Sequence, residues 1–233
     1  MIPRFLHDDA DLDRGLCELV AGDPRLRTLV DRAGRPNLRR RPAGFQGLCA
    51  IVCAQQLSTA SASAIWGRVV AAFDPFHHDA VRRARPAKLA RLGLSQPKIR
   101  TMKALGAAIA KGAIDLEALV AMDADDAHRA LTALHGIGPW SADVYLLFCL
   151  GHADAWPAGD LALQEAARLA FAMKARPTAK QMVALAQPWR PWRGVAAHVL
   201  WNYYRAVKRR DPLPIPASAK TKPATTRGVT NGR

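Results

Sequence analysis

A nine-residue segment, 134–142 with the sequence LHGIGPWSA, joins two helical patterns through a very tight turn. Gly136 and Gly138 permit backbone with positive φ, and Pro139 presets the first turn of the next helix. Ile137 is placed to enter the core and hold the turn. The chain must therefore reverse direction between two packed helices, leaving backbone N–H groups at a helix N-terminus, which is a site that binds phosphate.

A Gly-x-Gly turn can also serve chain reversal alone. The apolar residue between the glycines, the following proline and the basic composition of the chain favour phosphate binding here. We therefore predict that Gly136, Ile137, Gly138 and Ser141 contact a phosphate.

The rest of the chain indicates an all-α protein. Alanine and leucine dominate, β-branched and aromatic residues are sparse, and no alternating strand pattern persists. We expect about ten helices, with one from about Asp8 to Ala21, another capped at Ser58 or Thr59, and a capping box at Thr178. Residues 1–210 form the predicted helical domain, and residues 211–233, rich in proline and lysine, a disordered basic tail.

The net charge of +15 indicates a polyanionic partner, with an anionic membrane surface as the alternative. No apolar stretch is long enough to span a bilayer, and the acidic N-terminal segment has no apolar signal region. We therefore expect a cytoplasmic protein without a membrane partner.

The four cysteines indicate neither an iron–sulfur cluster nor a zinc site. Cys17, Cys49, Cys53 and Cys149 are scattered at apolar positions of helical patterns, which is typical of core thiols in a reducing compartment. Two of them share a helix face, but two ligands alone make a poor zinc site. The seven histidines show no ligand spacing.

Asp160 is the candidate catalytic carboxylate. It stands in the segment 156–163, WPAGDLAL, where proline and glycine break the structure and a helix follows. Asp160 therefore lies at a helix N-terminus, where an aspartate is often only a capping residue. Its position about twenty residues after the hairpin favours a functional role.

These motifs together resemble a known superfamily. The hairpin followed by a Gly-Asp is similar to the signature of helix-hairpin-helix (HhH-GPD) DNA glycosylases. Segments 51–65, with QQLS, and 188–193, PWRPWR, followed by Trp201, resemble the DNA-3-methyladenine glycosylase II branch. The resemblance implies an all-α fold of two helical subdomains flanking an active-site cleft, and a monomer.

The resemblance also implies an activity. Members of this branch flip an alkylated base, such as 3-methyladenine or a 7-methylpurine, out of double-stranded DNA and hydrolyse its bond to the sugar. Asp160 would stabilise the positive charge that develops on the sugar. Bifunctional relatives carry a lysine where this chain has Trp140, so we expect hydrolysis without strand nicking and without a required cofactor.

Further site residues follow from the resemblance. Trp140, Trp201 and Tyr145 are the candidate base pocket, because aromatic faces suit a cationic alkylated base. Leu57 resembles the wedge that fills the vacated stack. For each of these residues, packing in the core is the alternative.

Backbone groups and cations complete the predicted interface. A monovalent Na⁺ or K⁺ ion is expected at the hairpin, on the carbonyls of Thr132, Leu134 and Gly136. Three basic side chains either contact phosphates or are simply solvated surface charges: Arg190, Arg193 and Lys98.

Two other functions remain open from the sequence. A non-catalytic DNA-binding protein would use the hairpin as a clamp and Asp160 as a cap. A glycosylase of another branch would act on oxidised or deaminated bases.

Overall fold

The computed structural model describes residues 5–208, and within that range it is an all-α protein, as expected. The predicted tail, 211–233, lies outside the described residues. No β-strand occurs in the described part, where Phe5 and His152 form an isolated antiparallel bridge. The helices are α1 (Asp9–Gly22), α2 (Pro24–Ala33), α3 (Gly44–Ala54), α4 (Thr59–Ala71), α5 (His78–Arg83), α6 (Pro86–Arg91), α7 (Gln96–Ala110), α8 (Ala124–Thr132), α9 (Pro139–Val144), α10 (Leu161–Ala170), α11 (Ala179–Ala186) and α12 (Arg193–Lys208).

The helices pack as two groups. In the central group, α3 contacts α4, α7 and α9, α5 packs on α7, and α8 packs on α9. In the other group, α12 contacts α1, α2 and α10, so the first and last of the described helices lie together. The hairpin belongs to the central group and Asp160 to the other, and the candidate site therefore lies where the two groups meet.

The helix that follows the hairpin anchors it in the core. α9 continues directly into a π-helical segment, Tyr145–Leu150, in which every residue is buried. This segment also packs against α3 and α8. Burial of a whole turn of apolar side chains fixes the direction of the helix whose N-terminus forms the hairpin.

Local capping chemistry sets most helix ends. Ser58 accepts a hydrogen bond from the N–H of Ser61 at the start of α4, and Thr178 with Gln181 forms the predicted capping box of α11. Pro24 is the first residue of α2, and Asp23 is the capping residue of that helix. Within the described residues, no helix has both the length and the apolar character needed to cross a membrane.

Candidate active site

The Asp160 carboxylate is buried and held from three sides. It caps α10, with Oδ1 accepting a hydrogen bond from the N–H of Leu163 at 2.8 Å. The indole Nε1 of Trp140 donates to Oδ2 at 2.8 Å, and the indole Nε1 of Trp201 donates to Oδ1 at 3.2 Å. Asp160 is therefore a helix cap and also a fixed anionic group between two tryptophans of different helices.

Burial and hydrogen bonding act on the Asp160 carboxyl in opposite directions. Desolvation raises its pKa above the ordinary value of 3.8, while hydrogen bonds from Trp140, the Leu163 N–H and Trp201 oppose that rise without cancelling it. Each of these donors favours the ionised form. The two indoles therefore help to keep a negative charge in a site from which water is largely excluded.

Position 136 requires glycine for two reasons: the backbone has a positive φ, and the side chain of Thr101 leaves no room for a Cβ. Its φ is +77°, a left-handed conformation that other residues rarely adopt, and a Cβ there would overlap the side chain of Thr101 on α7. Ile137 is buried beneath the turn, and its N–H donates to the carbonyl of Leu134 at 3.1 Å. Ile137 therefore enters the core, as predicted. Its N–H, however, is already hydrogen-bonded within the hairpin.

Gly138 has no such internal requirement. It caps α9 with an ordinary φ of −84°, so the expectation of positive φ at both glycines is wrong for this one. No heavy atom lies within 4 Å of the position that its Cβ would occupy. The N–H groups that open α9, those of Trp140 and Ser141, have no carbonyl partner within the helix. A phosphate placed here meets open space and unsatisfied donors.

Gln55 links the turn after α3 to the hairpin, a contact that sequence reasoning missed. Its Nε2 donates to Oγ of Ser141 at 2.9 Å and lies 3.3 Å from the Gly136 carbonyl. The Ser141 side chain is buried, so its hydroxyl does not reach a phosphate at the surface. In the same turn, Leu57 is half-buried, whereas Gln56 is exposed with a φ of +57°.

The three aromatic residues predicted to form a base pocket lie in different environments. Trp140 is half-buried and Trp201 is 2% exposed. Tyr145 is fully buried, and its hydroxyl accepts a hydrogen bond from the N–H of Gly44 at 3.0 Å, so its place in a base pocket stays a prediction. Leu161, directly after Asp160, is 61% exposed. An exposed leucine beside the carboxylate is available to contact a partner. In the sequence, its position next to Asp160 is the only indication of such a role.

The three basic side chains considered as phosphate contacts each have a partner within the protein. Arg193 is buried, pairs with both carboxylate oxygens of Asp154 at 2.9 Å and contacts Asp125 at 3.2 Å. Arg190 is ion-paired with the same two aspartates. Lys98 donates to the carbonyl of Cys53 at 2.8 Å, at the end of α3. These side chains join elements of the fold, and Arg193, which is buried, is the one that cannot reach a phosphate at the surface.

Within residues 5–208, the hairpin carbonyls and one cluster of side chains bear on metal binding. Of the hairpin carbonyls, those of Leu134 and Gly136 already accept one hydrogen bond each, and a carbonyl oxygen has a second lone pair. The side chains of His77, His78 and Asp79 also come within ligand distance of one another. There, however, Asp79 is paired with Arg82 and Arg83, and His77 Nδ1 accepts from the Asp79 N–H.

Three of the four cysteines lie in the core. Cys49, Cys53 and Cys149 are buried, and Cys17, expected in the core, is exposed. Burial raises the pKa of Cys53 to about 11 and that of Cys149 to about 12. A protonated thiol is a poor nucleophile.

Comparison with known proteins places this geometry in a family. Residues 49–191 match the family model described as HhH-GPD superfamily base excision DNA repair protein. A Mycobacterium tuberculosis protein described as a probable bifunctional transcriptional activator/DNA repair enzyme AlkA is 36% identical over 210 residues, covering 85% of this chain. The chain spans only 41% of that relative's length.

Solved structures show the same fold. The Schizosaccharomyces pombe 3-methyladenine DNA glycosylase Mag1, in complex with abasic DNA, superposes with a TM-score of 0.73 at 25% identity, over 84% of this chain and 97% of that one. A DNA-3-methyladenine glycosidase from Bacillus halodurans gives a TM-score of 0.75 at 27% identity, over 92% and 97% of the two chains. The chain therefore belongs to the HhH-GPD superfamily of base excision DNA repair proteins.

Proposed function

We propose that this protein is a DNA glycosylase that hydrolyses the N-glycosidic bond of alkylated bases, such as 3-methyladenine and 7-methylpurines, in double-stranded DNA. The observation that carries the proposal is the buried Asp160 carboxylate, held by the indoles of Trp140 and Trp201 at the N-terminus of α10. The names of the similar proteins support the same activity.

The chemistry follows from the charge of that group. Cleavage of the bond between base and sugar leaves positive charge on the sugar ring, as in other glycosyl transfers. A carboxylate fixed in a site with little water stabilises that charge strongly, because it is already oriented and weakly screened. Asp160 would also orient a water molecule for attack on the sugar.

The hairpin and the neighbouring turn would position the DNA. Unsatisfied N–H groups at Gly138, Trp140 and Ser141 would hold a phosphate close to the carboxylate, because the hydrogen bond from Trp140 to Asp160 joins the two. A monovalent cation on the carbonyls of Thr132, Leu134 and Gly136 would add to this binding. Leu57, in the turn that Gln55 ties to the hairpin, would fill the gap left by the flipped base.

Trp140 also bears on whether the strand is nicked. Strand cleavage by related bifunctional enzymes needs an amine that forms a Schiff base with the sugar. An indole nitrogen that donates to Asp160 offers no such nucleophile. We therefore propose simple hydrolysis, leaving an abasic site.

A panel of duplexes tests the proposal, each containing 3-methyladenine, 7-methylguanine, hypoxanthine, uracil or 8-oxoguanine, treated with and without alkali after the reaction. Strand breaks only after alkali, on the alkylated purines, support it. Asp160→Asn should lower the rate at least about 100-fold while DNA binding persists, and the exposed Asp31→Asn should not change the rate. Borohydride trapping of a covalent adduct, or unchanged cleavage by Asp160→Asn, contradicts the mechanism.

A further inference from the structure

A cavity of about 670 Å³ lies beside the candidate active site, between α8, α9, α11 and the loop 154–159. It shares Trp140 and Gly159 with the surroundings of Asp160, but Asp160 and Trp201 do not line it. This volume falls within the roughly 300–1,000 Å³ of small-molecule sites. The cavity is therefore a separate space that adjoins the catalytic carboxylate through one tryptophan.

The cavity runs from an exposed rim to a buried floor. At the rim, Val183 is 44% exposed, and the Arg190 side chain is 39% exposed. At the floor, Trp156 is 5% exposed, and the Asp143 side chain is 13% exposed. A small molecule can therefore enter from solvent and reach buried side chains.

Most charged groups of the cavity neutralise one another. Arg193 pairs with Asp154 and Asp125, and Arg190 pairs with the same two aspartates. A buried guanidinium with two carboxylate partners has little left to offer an anion. The cavity is thus unsuited to a phosphate at its floor.

Among the buried charged groups of the cavity, Asp143 is the exception, whereas Lys180 is an exposed cation. No hydrogen bond to its carboxyl group is found among the described residues, and Nε2 of the His128 imidazole, whose pKa burial lowers, lies 3.6 Å away. Burial raises the pKa of Asp143 to about 8, while Arg193 lowers it and Asp125 raises it. A carboxyl group that is mainly protonated at neutral pH presents a donor and an acceptor side by side.

We propose that this cavity binds a free nucleobase of the adenine type, whose adjacent N–H and ring nitrogen pair with the Asp143 carboxyl group. The indoles of Trp140 and Trp156 and the ring of Pro139 line the cavity and supply apolar surface for a planar heterocycle. The occupant would contact the indole that donates to Asp160. That its natural source is the base released from DNA rests on the proposed function, whereas adenine binding does not.

Isothermal titration calorimetry of the full chain without DNA tests the site, with adenine and 3-methyladenine as probes. Caffeine is the control ligand, because it has the purine ring system and no N–H. We expect adenine to bind and caffeine not to bind. Asp143→Leu should raise the adenine Kd at least tenfold, while Asp126→Asn, an exposed change on α8, should leave it unchanged.

A second variant keeps the test valid should Asp143→Leu disturb folding. Val183→Trp places a large ring at the exposed rim and should raise the adenine Kd to the same extent. Asp160→Asn should bind adenine normally although it no longer cleaves DNA, so failure of the proposed function and failure of this site give different results. Absence of adenine binding at millimolar concentration, or binding that both cavity variants leave unchanged, overturns the proposal.

Discussion

The indole Nε1 of Trp140 lies 2.8 Å from Oδ2 of Asp160, although the two residues belong to different helix groups. Trp140 stands two residues after the second glycine of the hairpin, so the element proposed to bind a phosphate also holds the proposed catalytic carboxylate. DNA binding and catalysis would therefore share one hydrogen bond.

Removing that bond should change the pH dependence of the reaction. Trp140→Phe retains an aromatic ring but lacks the N–H, so the pKa of Asp160, already raised by burial, should rise further. The proposed mechanism needs the ionised form, so activity is present above this pKa and lost as pH falls through it. The acid limb of kcat/KM should therefore move to higher pH by about one to two units, which corresponds to a hydrogen bond to a charged group of ~1.5–3 kcal/mol.

Another tryptophan, Trp66, provides the control for this prediction. Trp66 lies in the core of the central helix group, against Phe76. Trp66→Phe should lower stability somewhat without moving the acid limb. An acid limb that stays in place for Trp140→Phe would show that the hydrogen bond does not set the pKa of Asp160.

The two hairpin glycines should respond differently to alanine. Gly136→Ala must adopt positive φ and displace Thr101, so we expect a loss of about 1–3 kcal/mol in the free energy of unfolding. Gly138→Ala has room for its methyl group and should unfold like the parent protein. Its methyl group would instead meet the DNA backbone, so affinity for DNA should fall.

Urea denaturation and fluorescence anisotropy with a labelled duplex measure the two effects separately. The opposite pattern, with a destabilised Gly138→Ala variant that binds DNA normally, would contradict the assignment of Gly138 to the DNA interface.

Arg193 should matter for stability and not for phosphate binding. Arg193→Met leaves Asp154 buried without its main partner, and loss of one member of a buried pair costs about 3–5 kcal/mol. The exposed pair Arg14–Asp11 is the matched control, since Arg14→Met should change the free energy of unfolding by less than about 0.5 kcal/mol.

Salt dependence of DNA binding adds an independent measurement for Arg193→Met. Loss of a phosphate contact reduces the slope of log K against log salt by about 1. Because the Arg193 side chain is only 6% exposed, we expect an unchanged slope. A reduced slope in a folded variant would show that Arg193 contacts a DNA phosphate.

Gln55 and Ser141 should act as a unit. Gln55→Ala and Ser141→Ala each remove the same 2.9 Å hydrogen bond between the turn after α3 and the hairpin. Their effects on affinity for duplexes with a flipped abasic site should therefore fall short of additivity, by about 0.5 kcal/mol or more. A double-mutant cycle measures this coupling, and fully additive effects would show that turn and hairpin contact DNA independently.

Local patterns predicted much of the framework. Ser58, the Thr178–Gln181 box and the position of Asp160 at a helix start follow from contacts within one helical turn. The hairpin is equally local, because Gly136, Ile137 and Pro139 determine its backbone. Pro24 is compatible both with the end of one helix and with the first residue of the next, and in the structure it opens α2.

The sequence by itself determined an all-α chain, its hairpin and the candidate carboxylate, because these depend on neighbours along the chain. Only the tertiary structure decided that Tyr145 and Arg193 lie inside, since burial depends on which distant surfaces cover a side chain. It also decided the surroundings of Asp160, whose two indole donors come from 20 and 41 residues away. No local pattern encodes such a distance, because packing of separate helices alone brings these groups together.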